Sequence, residues 1–231
     1  MNPRVSIVMN SYRDDPSRLR AAIRSYRKQC GVQLQLIVST VQGDRAIRIA
    51  QAKADKVVVN AHAGIYSQLN AALSHVTGDW YAYASGNDTA LPTKLADEIA
   101  LCEQQQKVVC YSDFRVVNEV DGTTTSTKFF EYDYARHLRG NFVSDLGLVR
   151  RDILDKYSPL REQYANMAYW DFWLRVAEGE GDVFVYNSKP EWVYYVTRSS
   201  RHVQRLSSVS ARQENTMLRQ RMLADHRNKR E

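Results

Sequence analysis

Strand-like and helix-like segments alternate through the first 112 residues, and this pattern constrains the fold more than any other feature of the chain. Short apolar runs of strand length are separated by stretches in which apolar residues recur at helical spacing. The apolar runs are Val5–Met9, Leu34–Ser39, Val57–Val59, Trp80–Ala84 and Val108–Tyr111. Such alternation predicts an α/β fold with a mostly parallel, Rossmann-like sheet and helices on both of its faces.

The second half of the chain has a mixed pattern. Residues 118–130, with Asp121 and Gly122 near the start, are typical of a β-hairpin. A helical pattern at Trp170–Ala177 precedes two strand-like runs at 182–186 and 192–196. We therefore predict a single domain over residues 1–197, in which residues 1–112 and 113–197 form two unlike halves.

Charge divides the chain at residue 197. The net charge is +6 at pH 7, and the segment 198–231 alone contains nine Lys or Arg residues against three Asp or Glu residues. We expect a basic, helical C-terminal extension, in which Ser210 with Gln213 would cap the helix. Such a segment would contact phosphate groups, nucleic acid or an anionic membrane, or it would be a solvated helix with no partner.

The composition favours a cytoplasmic protein. No apolar run approaches the length of a membrane-spanning helix, and the N-terminus leads into a strand without the pattern of a signal peptide. The cysteines, Cys30, Cys102 and Cys110, lack the spacing of a disulfide framework. The histidines lack the spacing of zinc ligands, and the sequence contains no dinucleotide fingerprint, P-loop or nucleophile elbow.

Polar residues follow the fourth strand directly. Ser85-Gly86-Asn87-Asp88 comes after Trp80–Ala84, and Pro92 opens the next helical stretch. Ligands of open α/β sheets bind at the carboxyl ends of the strands, and a single acid there can hold a divalent cation that bridges two phosphates. Asp88 is therefore a candidate cation ligand, although it would also serve in the cap of the next helix.

Four short motifs stand out along the chain. Residues 5–13 read Val-Ser-Ile-Val-Met-Asn-Ser-Tyr-Arg, and residues 64–72 begin with a glycine that is followed by an asparagine, Asn70. Asn87-Asp88 has Pro92 four residues after the acid, and residues 171–175 read Asp-Phe-Trp-Leu-Arg. In this order they resemble the motifs of family 2 glycosyltransferases of the GT-A fold, namely the opening strand, the glycine-then-asparagine helix, the metal motif and the acidic helix that carries the catalytic base.

The resemblance implies an inverting glycosyltransferase that moves a hexose or related sugar from a nucleoside diphosphate sugar, in the first instance a UDP-sugar, to an acceptor hydroxyl. It implies that Asp171 is the general base and that Asp88 holds Mn²⁺ or Mg²⁺. The donor would contact Ser11, Tyr12, Gly64, Gln68, Asn70, Asn87 and Asp88, together with Arg198, Arg201 and His202 of a basic loop that would neutralise the leaving diphosphate.

The motifs also depart from the family's pattern. The family's nucleobase-holding acid after the second strand falls near Ser39-Thr40 here, and an amide, Asn87, replaces one of the metal acids. Alignment on residues 173–175 puts the usual base at Tyr169, and Asp171 lies two residues further on, a turn of about 200° along a helix. These departures leave the need for a metal open, and they favour, as an alternative, a catalytically inactive module that binds nucleotide sugars.

The acceptor would be bound by the second half of the domain. Asp113 and Asp145 would face it, and Tyr169 and Trp170 would stack on it, although such aromatic residues are more often part of a core. Asp113 would alternatively pair with Arg115. We expect a saccharide or lipid-linked acceptor. A modified base in nucleic acid is the alternative, and the basic extension would then bind DNA rather than an anionic membrane.

Overall fold

The first half of the chain forms four parallel strands. The computed structural model describes residues 1–197 and 209–227, with side chains described for 1–197 and 215–227. Strands β1 to β4 comprise Arg4–Asn10, Gln33–Val41, Lys56–Asn60 and Trp80–Ser85. They pair in parallel in the order β3-β2-β1-β4, so the carboxyl ends of the neighbours β1 and β4 lie side by side.

Four helices connect these strands and lead out of them. Helices α1 to α4 comprise Pro16–Arg27, Ala46–Gln51, Ile65–Leu73 and Lys94–Gln105. Helix α1 begins where it does because the carboxylate of Asp15 accepts hydrogen bonds from the amides of Ser17 and Arg18, with Pro16 in the first turn. The cap therefore uses Asp15 and leaves the neighbouring Asp14 available for other contacts.

The second half continues the same sheet. Strands β5 to β9 comprise Thr89–Ala90, Val109–Asn118, Thr123–Thr127, Leu148–Arg150 and Phe184–Val196. The order continues as β4-β8-β6-β9-β5, with β7 paired to β6 as the predicted hairpin. Strand β8 is antiparallel to both β4 and β6, whereas β9 is parallel to β6. Helices α5 to α8 comprise Tyr134–His137, Arg151–Tyr157, Ala168–Glu180 and Val209–Arg227, and a 3-10 helix, Glu162–Met167, precedes α7.

Both faces of the sheet are covered by helices, as the sequence pattern predicts. One face packs on α3, α6 and α7, whose buried residues include Leu69, Ile153 and Trp173. The opposite face packs on α1, α2 and α4, whose buried residues include Ile23 and Leu95. Fixed between two apolar layers, the sheet holds the ends of its strands in place for a site at its edge.

Several details of the predicted elements are corrected by the structure. The runs predicted as two strands at 182–186 and 192–196 form one strand, β9, whose register against β6 shifts at the Lys189-Pro190 segment. Strand β5 was not predicted, because its two residues are too few to show the alternating pattern of a strand. Helix α4 begins at Lys94, two residues after Pro92, where it was predicted to open. Ser210 lies inside α8 rather than at its cap.

The C-terminal helix α8 packs against α7. Met222 and Leu223 are buried on Trp170 and Leu174, so this part of the segment predicted to be an extension shares a core with residues of the second half. No helix within the described residues is both long and apolar enough to cross a membrane.

Candidate active site

Polar and acidic side chains surround the carboxyl ends of β1 and β4. Asn10, the last residue of β1, lies opposite Ser85, the last residue of β4, and its carbonyl accepts a hydrogen bond from the amide of Gly86 at 2.9 Å. The chain therefore turns just after β4 and directs Asn87 and Asp88 to the same edge as the loop that follows β1. We call Asp14, Tyr83, Asn87, Asp88 and Asp145 the strand-end cluster.

Asp14 and Asn87 are the two members joined by a direct side-chain contact. The Asn87 amide Nδ2 donates to Asp14 Oδ1 at 2.7 Å across the gap between the two loops. Gly86 makes this approach possible, because a Cβ atom at that position would lie 2.4 Å from Asp14 Oδ2. Asp14 was not among the predicted site residues, because Asp14-Asp15-Pro16 has the sequence pattern of a helix start, in which only Asp15 occupies the cap.

Asp88 is 4% exposed, and no cationic side chain among the described residues donates a hydrogen bond to it. Its Oδ1 accepts a hydrogen bond from the backbone amide of Tyr195 at 3.2 Å, and the Ser85 hydroxyl also contacts its carboxylate. Burial, to which the charge of Asp14 adds, raises the pKa of Asp88 to about 7. A cation beside this carboxylate would remove most of that desolvation penalty.

The hydroxyl of Tyr83 is affected by the charges of all three carboxylates in the strand-end cluster. Burial raises the pKa of its hydroxyl well above the usual value, and the charges of Asp145, Asp88 and Asp14 add to the effect. All three acids therefore lie within electrostatic reach of one phenol group. Tyr83 was not among the predicted site residues, since its sequence pattern is that of a strand in the core.

Asp145 reaches this edge from the second half of the domain. Leu148, the first residue of β8, lies opposite Ala82 of β4 in an antiparallel pair, so the turn that precedes β8 and contains Asp145 lies toward the carboxyl end of β4. Its side chain is partly exposed and makes no hydrogen bond or ion pair with a residue in the described part of the chain. Burial raises the pKa of the Asp145 carboxyl to about 7.

The predicted nucleotide-binding residues lie around the ends of β1 and β2 and the start of α3. Four buried polar atoms there lack a hydrogen-bond partner among the described residues: Asn10 Oδ1, Ser11 Oγ, Thr40 Oγ1 and Gln68 Nε2. Gly64 belongs to this group because its amide donates to Gln68 Oε1 at 3.4 Å. Each buried polar atom without a partner costs about 1–3 kcal/mol, so this group of neutral atoms is suited to a polar ligand or to bound water.

Two other predicted donor residues have different surroundings. Asn70 ties α3 to the segment before the 3-10 helix, since it donates to the carbonyl of Leu160 and accepts from the amide of Leu160, both at 2.9 Å. These bonds give Asn70 a structural role that explains its contacts without a ligand. Tyr12 is partly exposed and stacks with Arg13, and it remains a predicted donor contact. Arg198, Arg201 and His202 lie outside the described residues.

Three of the predicted acceptor residues are engaged within the protein. Asp113 Oδ1 accepts hydrogen bonds from the amide of Phe129 and from the hydroxyl of Tyr186, both at 2.8 Å. Tyr169 is 1% exposed, and its hydroxyl lies 2.8 Å from that of Tyr81. Trp170 donates its indole N–H to the carbonyl of His137 at 3.0 Å and packs under α8.

Asp171 is enclosed by three cationic side chains. Its oxygens lie 2.9 Å from Arg175 Nε, 3.0 Å from His226 Nε2 and 3.3 Å from Arg161 Nη1, and the side chain is fully buried. Burial alone would raise the pKa of Asp171, but these partners outweigh it and lower that pKa below its usual value. The contacts fit an acid that holds α7 and α8 together and give no support to the predicted role as general base.

The architecture is that of GT-A glycosyltransferases, as comparison with solved structures shows. S. aureus TarS 1–349 in complex with UDP matches with a TM-score of 0.74 over 96% of this chain and 65% of that chain, at 15% identity. Its complex with UDP-GlcNAc matches with a TM-score of 0.72, at 15% identity, over 96% of this chain and 66% of that chain. The mannosyltransferase PcManGT from Pyrobaculum calidifontis, in complex with GDP-Man and Mn²⁺, matches with a TM-score of 0.64, at 15% identity, over 95% and 63%.

At this identity the similarity is one of fold alone. The chain spans less than two thirds of the length of each of these three structures. No family model matches the sequence, and no curated protein matches it either.

Proposed function

We propose that this protein transfers a sugar from a nucleoside diphosphate sugar to an acceptor hydroxyl. The observation that carries the proposal is the strand-end cluster, in which Asp14, Asn87 and Asp88 meet beside buried polar atoms that have no partner among the described residues. Ligands of open α/β sheets bind at such an edge. Structures with this fold have been solved in complex with UDP, UDP-GlcNAc and GDP-Man, which supports a nucleotide sugar as the ligand.

A divalent cation fits this cluster when a diphosphate is present. Within the described residues, no three His, Cys, Asp or Glu side chains converge as a complete ligand set. Mg²⁺ and related cations are commonly held by one or two carboxylates together with substrate phosphates and water, and Asp88 with Asp14 supplies such carboxylates. A bound cation would neutralise the charge that develops on the departing diphosphate. PcManGT, with the same fold, was solved with Mn²⁺.

The residues near the strand-end cluster would have different roles in binding the donor. Ser11, Thr40 and Gln68 would hold the nucleoside through neutral hydrogen bonds, in place of a carboxylate. Asn87 would keep Asp14 in position, and Asp88 would remain beside the diphosphate. The sugar would then project past Tyr83 toward the second half, where the acceptor enters.

A thermal-shift panel with and without Mn²⁺ tests this proposal. UDP-GlcNAc, UDP-glucose, GDP-mannose and CMP-linked sugars would be added to the wild-type protein and to Asp88→Asn, with Asp155→Asn as a surface control. A ligand at about 100 times its Kd stabilises the folded state by about 2.7 kcal/mol, which is readily measured. We expect stabilisation by one class of nucleoside diphosphate sugar, stronger with Mn²⁺ in the wild type than in Asp88→Asn. No stabilisation by any of them would overturn the proposal.

A catalytically inactive binding module is the second candidate function. The observation that favours it is the buried Tyr169 at the position aligned with the family's base, with its hydroxyl held by Tyr81. Both functions require binding of the nucleotide sugar, and release of nucleotide distinguishes them. Binding without any release of nucleotide, with Mn²⁺ and with mixed saccharide acceptors present, would support the inactive module.

For the acceptor, we keep the prediction of a saccharide or lipid-linked sugar. The nucleic-acid alternative predicts binding of single-stranded or duplex DNA that weakens steeply with salt, since contacts to phosphates release counterions. Fluorescence anisotropy with labelled DNA at low and moderate salt separates the two. No binding at low salt would remove the nucleic-acid alternative.

A further inference from the structure

Transfer of a sugar to a hydroxyl needs a base that accepts the proton of that hydroxyl as its oxygen attacks. Such a base has to lie at the reacting end of the donor, and its carboxylate has to be exposed enough to meet the incoming hydroxyl. The acids near the carboxyl ends of the strands can be compared on these two points.

Three of these acids are each held through Oδ1 within the protein. Asp14 is bound by the amide of Asn87, Asp88 by the backbone of Tyr195, and Asp113 by Phe129 and Tyr186. Asp14 and Asp88 also lie where a diphosphate would be bound, which is the leaving-group side of the reaction. Asp113 is 3% exposed, so an incoming hydroxyl would not reach it.

The residues of α7 are no better placed. Tyr169 is sealed in the core against Tyr81, and burial raises the pKa of its hydroxyl well above the usual value, so it stays protonated at neutral pH. Asp171 is fully buried and shared by Arg161, Arg175 and His226. The helix that resembles the family's base-carrying helix therefore has no free carboxylate at either position.

Asp145 meets both requirements. The antiparallel pairing of β8 with β4 places the turn that contains Asp145 toward the carboxyl end of β4, on the side of the second half. Its charge reaches the hydroxyls of Tyr81, Tyr83 and Tyr169, so it lies near the residue of α7 that aligns with the family's base. Its side chain is partly exposed, and its carboxylate has no partner within the described residues.

We propose that Asp145 is the general base of sugar transfer in this protein, and this inference rests on the proposed function. The acceptor O–H bond breaks, and its proton moves to the Asp145 carboxylate. The acceptor oxygen forms a bond to the anomeric carbon, and the bond from that carbon to the diphosphate oxygen breaks, with its electron pair leaving on the nucleoside diphosphate. The carboxyl then returns its proton to solvent.

Desolvation suits Asp145 to this role. A carboxyl whose pKa is about 7 is half ionised near neutral pH and is a stronger proton acceptor than an ordinary aspartate. Turnover is therefore expected to rise with pH up to about 7 and then to level off.

The test compares Asp145→Asn with the wild type and with Asp155→Asn, a surface acid of α6 that is paired with Arg151. Nucleotide release is measured with UDP-GlcNAc, or with whichever panel sugar stabilises the wild type most, and the thermal shift by the same sugar is measured in parallel. We expect Asp145→Asn to keep the thermal shift, to lose turnover by about 100-fold or more, and to lose the rise with pH. Asp155→Asn should match the wild type.

Four outcomes would overturn the proposal. Turnover of Asp145→Asn within about threefold of the wild type, with the same rise with pH, would show that another group is the base. Equal loss of turnover and of the thermal shift would make Asp145 a binding residue. If the wild type binds the sugar but never releases nucleotide, Asp145 is not a base, and donor binding alone remains. If the wild type binds no nucleotide sugar, the proposed function is overturned as well.

Discussion

His226 of α8 lies with its ring Nε2 3.0 Å from Asp171 Oδ1 of α7, and both side chains are fully buried. Its other ring nitrogen, Nδ1, lies 2.7 Å from Glu178 Oε1, about two turns further along α7 than Asp171. A buried imidazole between two carboxylates is most stable as the imidazolium, which donates from both nitrogens. The ion pair therefore holds α8 against α7.

His226→Gln is expected to destabilise the protein in a pH-dependent way. Burial alone would lower the pKa of His226, but the hydrogen bonds to Asp171 and Glu178 outweigh it and raise that pKa above 6.5. The stabilisation is therefore complete below pH 6.5 and is lost as pH rises through the folded-state pKa. Urea unfolding should show a loss of about 3 kcal/mol in the variant near pH 6 and a smaller loss near pH 9. A loss that does not change with pH would contradict a charged His226.

Asp171→Asn is expected to reduce stability far more than turnover. The change leaves Arg161, Arg175 and His226 without the carboxylate that they share, and breaking a buried pair in this way costs about 3–5 kcal/mol. Urea unfolding and nucleotide release should be measured on the same folded preparation. Loss of turnover by about 100-fold in a protein of wild-type stability would instead restore Asp171 as the base.

The edge of the sheet that carries the cluster was predictable from sequence. Regular alternation of strands and helices fixes parallel pairing, and the end of a buried strand is recognisable where Ala84-Ser85 gives way to Gly86-Asn87-Asp88. For that reason the places of Asn87 and Asp88 at the carboxyl end of β4 followed from the pattern, and the structure confirms the mostly parallel sheet with helices on both faces.

The partners of the acids were not predictable in the same way. Asp171 and His226 are 55 positions apart, and only the packing of α8 on α7 brings them together. Asp145 belongs to a loop without periodicity, and its place depends on the antiparallel register of a three-residue strand. The motif resemblance predicted a base on α7, whereas Asp145, whose carboxylate has no partner among the described residues, lies in the loop before β8.

Gly86→Ala is expected to weaken donor binding. The added Cβ would lie 2.4 Å from Asp14 Oδ2 and 3.2 Å from the carbonyl of Asn10, so the Asp14–Asn87 contact has to open. Affinity for the nucleotide sugar should fall about tenfold, equivalent to about 1.4 kcal/mol, by calorimetry. Gly140→Ala is the matched control, because a Cβ there has no neighbour within 4 Å. Unchanged affinity in Gly86→Ala would show that the donor does not use this contact.

Asp88→Asn is expected to stabilise the protein without ligand while weakening its response to Mn²⁺. Burial raises the pKa of Asp88 from 3.8 to about 7, so the unfolded chain ionises first and Asp88 lowers stability progressively as pH rises from about 4 to 7. The full penalty above pH 7 has an upper limit of about 4 kcal/mol. The neutral amide avoids this penalty, and its oxygen can still accept the hydrogen bond from the amide of Tyr195.

Thermal unfolding in EDTA should therefore show a higher Tm for Asp88→Asn than for the wild type near pH 8, and equal Tm values near pH 4. With nucleotide sugar and Mn²⁺ the order should reverse, because the wild-type carboxylate is then paired with a cation and stabilises the complex. A variant that is less stable than the wild type near pH 8 in EDTA would mean that Asp88 is held by structural contacts rather than kept ready for a cation.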